Sequence, residues 1–125
     1  MIVGIGIDTT TISRVEKVLE KDNFKTRFYS DSELFMLAKR GNKAQTYAVN
    51  YAGKEAFGKA LGTGLIGFEW NELSILRTEA GAPYCAYSGK LKELMEKNHW
   101  KAKVSFTHEG DYASAVVIIE EQTKA

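Results

Sequence analysis

One cysteine and one proline are all that this chain of 125 residues carries of either kind. A lone Cys85 has no partner for an internal disulfide, so no covalent staple holds the fold, and a reducing cytoplasm is the expected compartment. A single proline and the absence of low-complexity runs exclude a disordered, linker-like composition. Charge of one sign is also missing. Seventeen basic and sixteen acidic residues leave a formal net charge of +1, so any attraction to nucleic acid or membrane would have to be local. The apolar start, Met1 to Ile7, lacks a basic lead and is cut off by Asp8, which argues for a strand and against a signal peptide or membrane span.

What is present is ordinary for a globular domain: 44% hydrophobic and 26% charged residues. A chain of this length buries about two-thirds of the surface its unfolded form exposes, enough for one core without metal or disulfide. We therefore expect one domain over residues 1–125, with no linker and no internal repeat.

The periodicities predict an α+β order. From Ile2 to Asp8, Val3, Ile5 and Ile7 alternate with Gly4, Gly6 and Asp8, as in a strand with one nearly bare face. Ser13 and Glu16 have capping-box spacing, and Ile12, Val15, Val18 and Leu19 recur at helical intervals, predicting a helix from Thr11 to Lys21. Arg14, Lys17 and Lys21 would then form one basic stripe. Ser30 and Glu33 repeat the capping spacing before a helix that Gly41 stops, and a longer helix is expected from Lys43 to Leu61. ELSILRT and YCAYS read as two short strands around a glycine and proline turn. A helix over Ser88 to Asn98, with Leu91, Leu94 and Met95 inward, precedes a closing hairpin of KAKVSFTH and YASAVVIIE around EGD. The sum is a mainly antiparallel sheet packed against helices.

Two glycine patterns imitate nucleotide-binding motifs, and each lacks a decisive part. GKEAFGKA, Gly53 to Ala60, has the spacing of a phosphate loop, but Ala60 stands where a hydroxyl would hold Mg2+ and the interior consists of helix formers. Gly4, Gly6 and Thr9 imitate the dinucleotide fingerprint without its third glycine or a sufficient preceding strand. Read as helix, the first stretch places Tyr51, Glu55, Gly58 and Lys59 away from the alanine face. Glu55 and Lys59 lie one turn apart there, either a plain surface ion pair or part of a site. Gly62-Thr63-Gly64 then ends the helix, bringing backbone amides and a hydroxyl close to that carboxylate and lysine. Such a set suits a metal and a phosphate.

GIGID at Gly4 to Asp8, Arg14, KEAFGKALGTG at Lys54 to Gly64, GAP at Gly81 to Pro83 and SFTHEGDYASAVVI at Ser105 to Ile118 together resemble the bacterial holo-acyl-carrier-protein synthases, small 4′-phosphopantetheinyl transferases. The resemblance runs the length of the chain in the family's order. It implies the 4′-phosphopantetheinyl transferase fold, a homotrimer with active sites between neighbouring subunits, and Mg2+-dependent transfer of phosphopantetheine from coenzyme A to a carrier-protein serine, releasing adenosine 3′,5′-bisphosphate. By the same resemblance, Asp8 and Glu55 are metal ligands, and Asp8, Glu55 and Lys59 are the catalytic set, Lys59 also holding substrate phosphate. The bare face of the first strand would leave room for the metal. Gly62, Thr63 and Gly64 would line the coenzyme site with amides, and Pro83, Thr107 and His108 would approach adenine and the 3′-phosphate. Arg14 would meet the acidic carrier protein, with Lys17 and Lys21, and further Lys25 and Arg27, extending that surface. Either a metal-bound water or a carboxylate would take the serine proton. The chain departs from the family at Asn50, where an arginine is usual, at Gly53 for alanine, and at Thr107 for serine. A non-catalytic trimer that binds coenzyme A or a carrier is the competing reading.

Overall fold

The computed structural model describes residues 1–122. Its elements are β1 (Ile2–Thr11), α1 (Ile12–Val18), α2 (Phe24–Phe28), α3 (Asp31–Lys39), α4 (Ala44–Leu61), a 3-10 turn (Trp70–Glu72), β2 (Leu73–Arg77), β3 (Pro83–Tyr87), α5 (Gly89–Lys97), β4 (Trp100–Glu109) and β5 (Tyr112–Glu121). β1, β5 and β4 form a three-stranded antiparallel sheet in that order, and β2 and β3 form a separate hairpin. The α+β expectation holds, with the sheet divided in two. The short α2 was not foreseen, because five residues offer too little periodicity to read.

Helix α4 lies across the inner face of the sheet. Ala52, Ala56 and Ala60 on the helix and Ala113, Ala115, Val117 and Ile119 on β5 are all buried. Small residues on both sides permit a close approach, and β1 takes this to its limit. A Cβ at Gly4 would run into the carbonyl oxygen of Ala60, and one at Gly6 into that of Ala56. The bare face of β1 therefore receives the backbone of α4. It is not open space left for a metal, as the sequence suggested.

A second, largely aromatic core joins α1, α2, α3 and the first half of α4. Phe28, Tyr29 and Tyr47 are buried there, and Phe28 stacks on Tyr51 with ring centroids 4.9 Å apart. The Tyr29 hydroxyl donates to the Tyr47 carbonyl at 2.9 Å, so this buried phenol is satisfied.

The two predicted capping boxes fare differently. Ser30 caps α3 as expected: its hydroxyl accepts from the Glu33 amide at 3.1 Å, and the Glu33 carboxylate accepts from the Ser30 amide at 3.0 Å. Ser13 caps nothing, because β1 runs on to Thr11 and places Ser13 inside α1. Instead its hydroxyl donates to Asp111 Oδ2 at 2.6 Å and its amide to Asp111 Oδ1 at 3.0 Å, tying the helix to the β4–β5 turn. Helix α1 also stops at Val18, so Lys21 lies beyond it and does not continue the stripe of Arg14 and Lys17.

Candidate active site

Asp8 and Lys59 are brought together by the glycine–alanine seam. Because Gly4 and Gly6 seat α4 directly on β1, Asp8, next on the same strand face, meets the last turns of the helix. Lys59 Nζ donates to Asp8 Oδ1 at 3.1 Å and to the Ile7 carbonyl at 3.0 Å. The lysine thus pairs with Asp8, and the Glu55–Lys59 pair suggested by helical spacing is replaced by one across elements. The Asp8 side chain is 16% exposed and that of Lys59 57%, so the cluster opens to solvent on the lysine side.

Glu55 is half-buried one turn before Lys59. Burial raises its proton affinity above the ordinary carboxylate range, and the negative charge of Asp8 raises it further, against the opposing charges of Lys59 and Arg14. Tyr51, a turn earlier, is raised by burial and then by Glu55 and Asp8, with Arg14 again opposing. Asp8, Arg14, Tyr51, Glu55 and Lys59 therefore share one electrostatic environment. Arg14 accordingly belongs to the edge of the carboxylate cluster as well as to the exposed surface of α1.

Two neighbouring carboxylates form a hard oxygen donor set. Among the described residues no group of three or more His, Cys, Asp or Glu side chains could hold a metal ion. A two-carboxylate site fits Mg2+, which keeps several positions for water and substrate phosphate and seldom sits in an all-protein cage. The residues present are thus compatible with the implied metal.

Gly62 and Gly64 end α4 with left-handed backbone, at φ of 85° and 69°. Their amides are engaged: Gly62 donates to the Lys59 carbonyl and Gly64 to the Gly58 carbonyl, each at 3.0 Å. Those two groups close the helix, as in a C-terminal cap, and are not free to cradle a phosphate. Gly58 is buried beneath the returning loop, with Gly64 Cα 3.3 Å from where its Cβ would stand, so it does not share the open side of α4 with Lys59. Thr63 is exposed, and its hydroxyl contacts the Gly64 carbonyl at 3.2 Å.

Pro83 lies on the β2–β3 hairpin, and Thr107 and His108 lie on β4. Pro83 opens β3 opposite Arg77 of β2, and the Arg77 guanidinium lies 4.5 Å from the ring centroid of Phe106, the neighbour of Thr107. Thr107 is in register with Ser114, which in turn pairs with Thr9. Among the described residues no hydrogen bond or ion pair joins this group to Asp8, Glu55 or Lys59. Of the basic residues expected to widen the carrier surface, Arg27 borders a cleft with Tyr51 and Glu55, while Lys25 turns toward the Tyr47 ring at 5.2 Å.

The sequence reading missed a buried polar network. Glu33, Asn50 and Lys54 are all fully buried. Lys54 Nζ donates to Glu33 Oε1 at 2.6 Å and to the Leu73 carbonyl. Glu33 Oε2 accepts from Asn50 Nδ2 at 2.9 Å and from the Ile75 amide at 3.1 Å, and Arg77 Nη2 donates to Asn50 Oδ1 at 2.6 Å. Asn50, where the resemblance suggests an arginine, thus receives a guanidinium from β2. The available signal was the stripe Tyr47, Asn50, Lys54, Phe57, which marks a second buried face of α4. Gly53 fits the same packing, since a methyl there would come within 2.6 Å of Ile75 Cδ1.

A helix carrying a carboxylate and a lysine beside a glycine turn, seated on a strand that brings a second carboxylate, defines a phosphate-handling enzyme of small α+β build. The chain belongs to the 4′-phosphopantetheinyl transferase superfamily, whose family model, ACPS, matches residues 4–117. Within it, the similarity is to holo-[acyl-carrier-protein] synthases. That of Treponema denticola is 44% identical over 122 residues, covering 96% of this chain and 99% of the relative. The crystal structure of the Neisseria meningitidis enzyme superposes with a TM-score of 0.87 at 29% identity, covering 96% of this chain and 99% of that one. The Helicobacter pylori enzyme, solved in complex with coenzyme A, gives a TM-score of 0.81 at 32% identity over 93% and 99% of the two chains.

Proposed function

We propose that this protein transfers 4′-phosphopantetheine from coenzyme A to a serine hydroxyl of an apo acyl carrier protein, releasing adenosine 3′,5′-bisphosphate, as a Mg2+-dependent cytoplasmic homotrimer. The observation that carries this reading is the convergence of Asp8, Glu55 and Lys59 from β1 and α4 at one solvent-facing point.

The reaction forms a bond from the serine oxygen to the β-phosphorus of coenzyme A and breaks the bond from that phosphorus to the bridging oxygen. The leaving bisphosphate carries the released electron pair away, and the serine proton would pass to a carboxylate or a water at the site. An oxygen nucleophile must approach a diphosphate that is already negative, so neutralising that charge is the main requirement. Asp8 and Glu55 would hold Mg2+, which when bound supplies part of the neutralisation. Lys59 rests on Asp8 and is more than half exposed, so its ammonium can turn to a substrate phosphate oxygen within the same turn of helix. Thr63, exposed beyond the helix end, would touch the coenzyme.

Pro83, Thr107 and His108 would serve the nucleotide end from a neighbouring subunit. The outer face of the sheet supports this, for Ile5 and Ile7 are 60% and 66% exposed there. An apolar sheet face of this kind favours covering by another protein surface. Arg14 and Lys17 on α1 would meet the acidic carrier protein.

The direct test is to incubate the protein with coenzyme A, Mg2+ and an apo carrier protein, then weigh the carrier. A gain of one phosphopantetheine per carrier is expected, and no gain with several unrelated carriers would refute transfer. Asp8→Ala and Glu55→Ala should each abolish the gain while the trimer persists on a sizing column. Normal turnover by either variant at limiting Mg2+ would remove the metal assignment. Arg14→Glu should raise the apparent KM for the carrier more than that for coenzyme A, and equal effects would take Arg14 off the carrier-docking surface.

A further inference from the structure

Lys54 and Glu33 form a fully buried ion pair that touches none of the proposed reacting groups. Stability is a weak reason for such a pair. Burial costs each charge its hydration, and replacing both partners by apolar residues of similar volume is often neutral or stabilising. What the pair supplies is direction. Two hydrogen bonds leave Lys54 Nζ, for Glu33 of α3 and the Leu73 carbonyl of β2. Glu33 Oε2 binds the Ile75 amide of β2 and Asn50 of α4, and Asn50 also donates to the Ile75 carbonyl at 2.9 Å. Helix α4 is therefore pinned at Asn50 and Lys54 on one stripe.

On the β1 side, α4 is tied by the exposed Lys59 side chain to Asp8 and the Ile7 carbonyl, and otherwise meets the strand through backbone. Ala56 and Ala60 lie on Gly4 and Gly6 with backbone against backbone, a close but smooth seam without interlocking side chains to resist rotation. Glu55 follows Lys54 about 100° round the helix, so the angle fixed at Lys54 sets where the Glu55 carboxylate points relative to Asp8.

We propose that the Lys54–Glu33 pair is a positioning device for Glu55, acting through the rotation of α4. The inference rests on the reading of Asp8 and Glu55 as the metal-binding pair. Its test is the double variant Glu33→Leu with Lys54→Met, which keeps the volume and removes both charges, so that no buried charge is left unpaired. Mn2+ is the probe, titrated into the protein without substrate and followed by water-proton relaxation, alongside thermal unfolding and steady-state transfer.

The expected result is a folded double variant with a lowered Tm, because the Ser30 and Ile75 amides and the Leu73 carbonyl lose their side-chain partners. Mn2+ affinity should fall about 10-fold, the lower range seen when groups that orient metal ligands are lost, with a similar fall in kcat and an unchanged carrier KM. Native Mn2+ affinity and kcat in a folded double variant would overturn the proposal. A double variant that does not fold would overturn it equally, because the pair would then act on stability. If the native protein bound no Mn2+ while Asp8→Ala and Glu55→Ala left transfer intact, the metal-site reading would fail first and this inference with it.

Discussion

Lys59 shows how helical spacing can single out a residue and still mistake its partner. Helical spacing sets it one turn from Glu55, yet its ammonium lies on Asp8, 51 residues away in sequence. Spacing along a helix can locate a face but cannot see what strand that face meets. Lys59→Met removes the one ammonium bound to the Asp8 carboxylate, and we expect kcat to fall roughly 100-fold, in the range found when a single charge-stabilising donor is deleted. Steady-state kinetics with the carrier saturating measures this, and an unchanged kcat would take Lys59 out of the phosphate chemistry. Cys85 gives a residue-scale prediction of a different kind. Burial pushes its thiol up to about 12, with Glu33 adding to the effect and Lys54 opposing it. Since the thiolate is the reactive form, only roughly one molecule in ten thousand carries it at pH 8. A disulfide reagent should therefore label the native protein slowly and the unfolded protein at once. Rapid labelling of the native protein would contradict the buried thiol.

At the scale of elements, the glycines of β1 are the clearest case of a feature that was visible but misread. Their alternation with isoleucine located the strand and its faces, while the reason for the bare face lay in a helix some fifty residues further on. Gly6→Ala should drive a methyl into the Ala56 carbonyl, a backbone atom with nowhere to rotate. The loss should be about 1–3 kcal/mol, the usual cost of overpacking a tight interior, measured by urea unfolding. A neutral Gly6→Ala would mean that α4 can lift from β1 without penalty. Much else at this scale was legible: α3 from its capping box, α4 and α5 from their apolar spacing, and the final hairpin from β-branched alternation around Gly110. Ser13 was not, because its carboxylate partner Asp111 comes from the far end of the chain. Glu33 was hidden by its own success as a capping residue, since one carboxylate serves both the cap and the buried network. The candidate site followed the same division. Asp8, Glu55 and Lys59 were legible from motif and chemistry, whereas the Asn50–Arg77 contact and the spent amides of Gly62 and Gly64 exist only in three dimensions.

At the scale of the whole molecule, a cleft that drew its carboxylate half and its nucleotide half from different subunits would make the proposed trimer testable through activity. The carboxylate half lies on β1 and α4, and the nucleotide half would lie around Pro83, Thr107 and His108. If each cleft joins the carboxylate half of one subunit to the nucleotide half of the next, the interface is head to tail and closes into a ring. Ile7→Lys, placing a charge on the exposed sheet face, should then yield monomers by light scattering and abolish transfer, although no proposed catalytic group is altered. Mixing supplies the sharper discrimination. Glu55→Ala spoils only the carboxylate half, and Thr107→Ala combined with His108→Ala spoils only the nucleotide half. Co-expressed in equal amounts, the two variants should assemble at random, so that about one cleft in four combines two intact halves and recovers about a quarter of native activity. If both halves of a cleft came from the same chain, every cleft would remain defective and mixing would recover nothing. Activity no greater than the sum of the separate variants would therefore place the complete site within one subunit and remove the catalytic reason for a trimer.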